Sequence, residues 1–405
     1  MKESNKLWTG QYVAIVLMAF LFFLCLQLLT AGFPAFITDI KNNPAQGGLM
    51  TTVFMIAAII TRPFIGFLIH RVNVKKMSIY SLAFVAITLA IAYNQQSVPL
   101  LLLLRVFHGI GFGIMTTILA TLATNIIPKK RLGEGIGYYG LATSIGTSMA
   151  PMVALALLAT LSFNFLLIIS VVLAVLTFIF SFFIKPSKEE LALTKVEPKH
   201  KLSLRESIFD KKAFVPSILC ALFSITLGGV ISFLRELGKE EHLGGSVSLF
   251  FLVVAIVMLA ARPVSGRLYD RLGHKVIIYP AAICGIIGLF LLSITHSAST
   301  LLFAGFFYGV AYGMVTPTLQ AIAVSLVTKE KQGTANAMYF SSMDLGMAIG
   351  STGLGILAAN KGFHFIYGFS IVCLVLLLII YTFLFMKKKE SETETVTATS
   401  TSQSM

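Results

Sequence analysis

Four ionisable side chains stand inside long apolar runs of this 405-residue chain: Arg62, Arg105, Arg262 and Asp344. A charge set into a hydrocarbon layer costs about 2.5–3.5 kcal/mol on insertion scales, so each of the four needs a partner or a task. Of the 17 acids, Asp344 alone lies deep in such a run. A buried carboxylate beside an arginine can form an ion pair. It can also take up a proton, and the pair then loses its attraction. His108 follows Arg105 by about one helical turn, so the two share a face. Together they suit the attraction of an anionic group or the passage of a proton. The alternative is that Arg105 braces backbone carbonyls as a scaffold. This is chemistry of charge and protons rather than of covalent catalysis. The sequence shows no P-loop, metal-ligand cluster or catalytic triad, so neither an enzyme nor a bound metal or cofactor is expected.

The elements that carry these charges must span a membrane. Hydrophobic residues make up 57% of the chain and charged residues 12%, against about 25% charged in soluble domains. Twelve apolar runs of helical length can be read, near 12–37, 48–69, 77–94, 98–125, 135–160, 163–184, 213–235, 246–268, 276–295, 299–326, 335–359 and 363–386. The fold class is an all-α polytopic membrane protein. Residues 1–184 form a first six-helix bundle, 185–212 a charged connector, 213–389 a second bundle and 390–405 a Ser/Thr/Glu-rich tail expected to be disordered. With the N-terminus inside, 24 of the 31 Lys and Arg residues fall on the cytoplasmic side and 4 outside. That bias puts both termini in the cytoplasm and accounts for the net charge of +14 without nucleic acid. The four cysteines, Cys25, Cys220, Cys284 and Cys373, sit far apart in apolar runs and read as small packed residues.

The two bundles repeat one another at an offset of 200 residues. Arg62-Pro63, Gly66, Leu68, Arg71 and Lys75 recur as Arg262-Pro263, Gly266, Leu268, Arg271 and Lys275. Gly109, Gly113, Gly133, Tyr139 and Gly146 recur as Gly309, Gly313, Gly333, Tyr339 and Gly346. Parallel repeats of this kind place a substrate near the bilayer midplane, between the halves.

Three stretches resemble motifs of the major facilitator superfamily, and the resemblance covers the whole chain apart from the connector and tail. Gly266 to Lys275 is similar to its loop motif G-x-L-x-D-R-x-G-R/x-K, and Arg105 to Gly113 to its fourth-helix motif. Gly146 to Pro151 resembles the antiporter motif G-x-x-x-G-P, with Ala150 where Gly is usual. The resemblance implies alternating access between two rocking halves, with span two packed against span eleven. Asp344, roughly 15 Å deep, and Arg62, roughly 12 Å deep at 1.5 Å per residue, are then an expected interdomain pair. It serves either proton coupling or a permanent structural contact. The family's acidic loop residue is Asp270 in the second repeat and His70 in the first. The resemblance implies that the acid caps a neighbouring helix. His70 means either a weak, pH-dependent latch or drift at a tolerant position. Arg262 has no such acidic partner, because Ser144 stands at the position matching Asp344, and with its Pro neighbour it reads as structural.

Gln27, Thr30, Arg105, Tyr308, Tyr312 and Gln320 are candidates to line the cavity, although a hydroxyl satisfied by its own helix is the alternative for each. Gly66, His70, Arg71, Gly266, Asp270 and Arg271 form the candidate cytoplasmic gate. Gly309 and Gly313, Gly346 and Gly350, and Gly146 with Pro151 mark smooth faces for close helix packing and rocking. Arginines outnumber acids within the spans by three to one, which points to an anionic or zwitterionic metabolite such as an organic acid or an opine-type metal chelator. The expected protein is a monomeric, multi-pass transporter of the bacterial plasma membrane, exporting a small metabolite or drug against protons. An importer or uniporter remains open and differs in flux direction. A membrane sensor or scaffold also remains open and would be expected to carry a sizeable soluble domain.

Overall fold

The computed structural model describes residues 6–41, 44–69, 72–184 and 208–402. Twelve long helices run through them: α1 Gly10–Lys41, α2 Pro44–Leu68, α3 Val74–Ile91, α4 Val98–Ile126, α5 Leu132–Thr160, α6 Phe163–Ser181, α7 Lys211–Glu240, α8 Ser246–Leu272, α9 Lys275–Ser293, α10 Ala298–Ser325, α11 Gln332–Lys361 and α12 Phe363–Ser402. Each expected span falls on one of them. Ten are long and apolar enough to cross a bilayer. The remaining two, α5 and α11, occupy equivalent places in the repeat and both contact the opposite half.

Local chemistry sets the boundaries. Asn73, Ser162, Asp210 and Ser297 cap α3, α6, α7 and α10, each accepting a backbone N–H of the first turn. Gly273 and Gly362 end α8 and α11 at φ of 79° and 86°, a backbone shape that favours glycine. The segment after 389, expected to be disordered, is helical to Ser402. Between Gly368 and Ser402 the sequence has neither glycine nor proline to stop a helix already nucleated in the membrane. Most of the connector, 185–207, lies outside the described residues.

Within α1–α6 the main pairings are α1 with α5 and α2 with α4; within α7–α12 they are α7 with α11, α8 with α10 and α9 with α10. The repeated glycines make the first four of these pairings possible. A Cβ on Gly113 would meet the Ala58 carbonyl oxygen at 2.9 Å, and one on Gly313 would meet the Ala261 Cβ at 2.9 Å. Gly109 and Gly309 make the same α4–α2 and α10–α8 approaches, while Gly146 abuts α1 and Gly346 and Gly350 abut α7. These glycines therefore seat helices within a half, and different glycines (Gly133, Gly137, Gly140 and Gly266) form the contact between halves. Pro151 lies within α5. Outward faces carry exposed large side chains such as Ile60, Phe64, Ile256 and Phe303, which lipid accepts and water does not.

Candidate functional site

Two seams join the halves: α2 against α11, and α5 against α8. On the first, the Arg62 guanidinium donates through Nη1 to Asp344 Oδ2 and to the Phe340 carbonyl oxygen at 2.8 Å. Its Nη2 reaches Thr116 Oγ1 of α4 at 3.5 Å. Phe112 of one half and Phe340 of the other flank the guanidinium, with ring centroids 5.6 and 5.4 Å from Cζ. Arg62 and Asp344 are 1% and 5% exposed, so the pair is dry. In such surroundings removing one partner costs about 3–5 kcal/mol, because the other charge is left unpaired. The pair joins the halves as a charged contact, beside the Arg62 bond to the Phe340 carbonyl oxygen.

The second seam has the corresponding arginine without the acid. Arg262 is buried, and its guanidinium lies against Gly140 of α5, where any Cβ would collide with Nη1. Tyr312 sits 5.8 Å below Cζ. Gly140 occupies the position equivalent to Phe340, and Ser144 that of Asp344.

This seam is held instead at its end. Asp270, the last-turn acid of α8, accepts the backbone N–H of Gly133 at 2.7 Å on Oδ1 and that of Glu134 at 2.9 Å on Oδ2. These N–H groups belong to the first turn of α5, where helical partners are lacking and the helix dipole is positive. Glu134 is itself neutralised by Arg131 at 2.7 Å and by Arg267 of the opposite half at 3.6 Å. Gly266 makes the approach possible: a Cβ there would meet the Gly133 carbonyl oxygen at 2.5 Å. On the α2–α11 seam, Thr334 Oγ1 donates to the Gly66 carbonyl oxygen at 3.5 Å. His70 and Arg71 lie outside the described residues. Arg271 is exposed.

The cavity candidates divide. Gln27, Thr30 and Tyr312 are partly exposed. Arg105 is fully enclosed between α1, α2 and α4: its Nε donates to the Met50 carbonyl oxygen at 3.1 Å and its Nη2 to Thr30 Oγ1 at 3.4 Å, with Phe54 4.2 Å below. In this conformation it braces its own bundle and does not open onto a cavity. His108 is buried beside Phe33, its two ring nitrogens without hydrogen-bond partners among the described residues. Tyr308 is buried inside the second bundle, hydrogen-bonded to Thr226 at 2.9 Å. Gln320 donates to Asn336 Oδ1 at 3.0 Å, and Asn336 donates to Thr124 Oγ1 of the first half at 3.3 Å. Gln320 therefore belongs to a polar contact between halves. In this conformation Gln320, Arg105 and Tyr308 are all buried, and Arg105 Nη1 has no hydrogen-bond partner among the described residues. Asn336, Thr124 and Glu134 are seam residues beyond those expected from the sequence. Their signals were a polar Asn in the first turns of span eleven and an acid in the first turn of span five.

Comparison with known proteins agrees with this architecture. The family model of the Major Facilitator Superfamily matches residues 15–351 and 287–403. The staphylopine export protein of Staphylococcus aureus is 22% identical over 365 residues, covering 88% of this chain and 91% of that protein. Among solved structures, the human organic anion transporter MFSD10 superposes with a TM-score of 0.77 at 15% identity, covering 91% of this chain and 98% of its own. The proton:xylose symporter XylE superposes with a TM-score of 0.74 at 16% identity, covering 93% and 96%.

Proposed function

We propose, from the premise that this chain belongs to the major facilitator superfamily, that it couples proton movement to the transport of a small anionic or zwitterionic metabolite through the Arg62–Asp344 pair. The chain is a multi-pass membrane protein that moves a small molecule by secondary transport, and it is not an enzyme. The observation that carries the coupling role is a dry ion pair whose two members belong to opposite halves. Protonation of Asp344 removes one charge, leaves Arg62 to the Phe340 carbonyl oxygen and a neutral carboxyl, and weakens the α2–α11 seam by at most the cost of a broken buried pair, about 3–5 kcal/mol. A proton at that carboxyl therefore favours separation of the halves on that side.

The excess of basic residues on the face bearing Lys75, Lys76, Lys129, Lys130, Lys275 and Lys329 supports a cytoplasmic orientation for it, with both termini on the same side. The bonds between halves run from this face to the depth of Arg62–Asp344, which supports a state closed toward the cytoplasm. Export is the favoured direction, because the staphylopine export protein resembles this chain over most of both lengths. Import is the second reading, since the fold also serves a proton symporter.

Vesicles of both orientations, loaded with organic acids and opine-type chelators and monitored with a pH-sensitive dye, test both points. The wild type is expected to couple solute flux to proton flux in the direction of export. Asp344→Asn is expected to abolish proton movement while solute still binds. Persistence of pH-driven transport in Asp344→Asn removes the coupling role. Uphill uptake with inward proton flow in right-side-out vesicles selects import.

A further inference from the structure

On the face opposite the gate, three turns of the second half bring Glu241, His296 and His364 together. Glu241 follows the end of α7, in a turn that passes through positive φ at His242 (55°) and Gly244 (54°). His296 lies between α9 and α10, and His364 is the second residue of α12. His296 Nδ1 is 2.7 Å from Glu241 Oε2, and His364 Nε2 is 2.9 Å from Glu241 Oε1. One ligand atom from each residue lies within 4.8 Å of the others.

A second observation concerns His364 alone. Its Nδ1 faces the Ser293 carbonyl oxygen at 3.1 Å while its Nε2 faces the Glu241 carboxylate. A carbonyl and a carboxylate oxygen can only accept. A neutral imidazole donates from one nitrogen, so with Nδ1–H given to Ser293 the Nε2 lone pair points at an anionic oxygen. A cation at Nε2 resolves that conflict, as does a second proton on the ring, and titration with zinc separates the two. Metal-bound histidines characteristically give the second N–H to a backbone carbonyl in this way, which fixes the tautomer and the ring.

We infer that Glu241, His296 and His364 form a binding site for a divalent first-row transition metal of the zinc class on the outer cap of the second half. Two imidazoles and one carboxylate are the donors such ions favour over calcium or magnesium. Ligand atoms in a tetrahedral zinc shell are about 3.3 Å apart, so small rotations of the three side chains admit the ion. His296 is 71% exposed, which leaves a path for entry and a fourth position for water or for a donor atom of a bound solute. The bound ion would tie the end of α7 to the α9–α10 turn and the start of α12. The inference stands apart from the coupling role of Asp344, on a different face and on different residues.

The test uses the full-length protein in detergent, stripped of metal and titrated with zinc chloride against a chromophoric competitor, then with cobalt chloride read by visible absorption. The wild type is expected to bind one zinc per chain, to gain thermal stability with zinc, and to give the intense bands of four-coordinate cobalt. Glu241→Gln, His296→Ala and His364→Ala are each expected to weaken zinc affinity about tenfold or more and to lose the cobalt bands. His242→Asn, one residue from the cluster, is expected to change neither. Monodisperse elution and an unchanged melting point without zinc confirm that each variant is folded, and His296→Gln and His364→Gln replace any alanine variant that is not. Failure of the wild type to saturate at millimolar zinc, or wild-type affinity in folded Glu241 and His364 variants, overturns the site.

Discussion

Asp270→Asn should release the basic end of the α5–α8 seam, the end proposed to face the cytoplasm. In the native protein both carboxylate oxygens accept backbone N–H groups of the α5 first turn, at 2.7 and 2.9 Å. A hydrogen bond to a charged group contributes roughly 1.5–3 kcal/mol, and an acid near a helix N-terminus contributes about 0.3–1 kcal/mol more. Asparagine keeps one acceptor oxygen, but its amide NH2 then faces a backbone N–H, donor against donor. The lost stabilisation of the closed state is therefore about 2–3 kcal/mol, equivalent to roughly a 30- to 150-fold shift of the closed–open equilibrium. Glu134 does not reverse the sign, because Arg131 and Arg267 already neutralise it.

The assay is a spin-label distance measurement across the gate, with the native cysteines replaced and labels at Lys130 and Thr328. These exposed residues lie on the same face, one on each half. Asp270→Asn should move population from the short to the long distance, and Asp270→Ala should move it further. A distance distribution identical to wild type in both variants would refute the latch, whatever the transport rates.

Other perturbations follow from the same contacts. Gly266→Ala places a Cβ 2.5 Å from the Gly133 carbonyl oxygen and 2.7 Å from the Glu134 Cα; both are backbone atoms that cannot turn aside, so this variant should open the same labelled pair while leaving Asp270 intact. Ser144→Asp sets an acid one helical turn beyond Gly140, against which Arg262 lies; it should lengthen the lifetime of the closed state and slow turnover, seen as a narrowed short-distance population. Asp210 caps α7 at 2.8 Å and pairs with Lys331 at 3.1 Å. Burial pushes its carboxyl up, but the Lys212 N–H and Lys331 outweigh burial and leave it below the usual carboxylate range. A lowered folded value means that its stabilisation is complete above the unfolded value of about 3.9 and fades as pH falls through the folded one. Asp210→Ala should therefore destabilise by about 1 kcal/mol at neutral pH, and the gap in melting temperature should close in strong acid.

The repeat made much of the fold legible. A 200-residue offset gives equal roles to α2 and α8 and to α4 and α10, and the family resemblance, which sets span two against span eleven, pairs Arg62 with Asp344 at similar depth. The cavity was harder to read. A polar residue within an apolar helix can face open space or the inside of its own bundle, and the surrounding sequence is apolar in either case. Arg105 shows the ambiguity: its neighbours Leu104 and Val106 say nothing of the Met50 carbonyl that receives its Nε. Glu241, His296 and His364 were invisible for another reason. His296 stands 55 residues and His364 123 residues from Glu241, and only the common destination of three turns joins them. Close spacing in sequence marks metal sites held on one element, and this cluster is spread over three.

The two seams, although copies by descent of one pattern, are held at different depths by different chemistry. The α2–α11 seam is anchored deep by Arg62–Asp344, and the α5–α8 seam at its surface end by Asp270 on a helix N-terminus. If both copies carried both anchors, opening would require four charged contacts to break together, each of order 2–4 kcal/mol. With one anchor per seam the cost is about half, within reach of the binding energy of a small solute. The anchors also answer to different events. Under the proposed coupling role, a proton at Asp344 weakens the deep pair and leaves Asp270 bound to α5, so that protonation alone would loosen one side of the gate. The other side must be drawn apart by movement of α8 relative to α5. Under the same proposal, proton uptake and separation of the halves are distinct steps, and Asp270→Asn should increase opening even while Asp344 remains ionised.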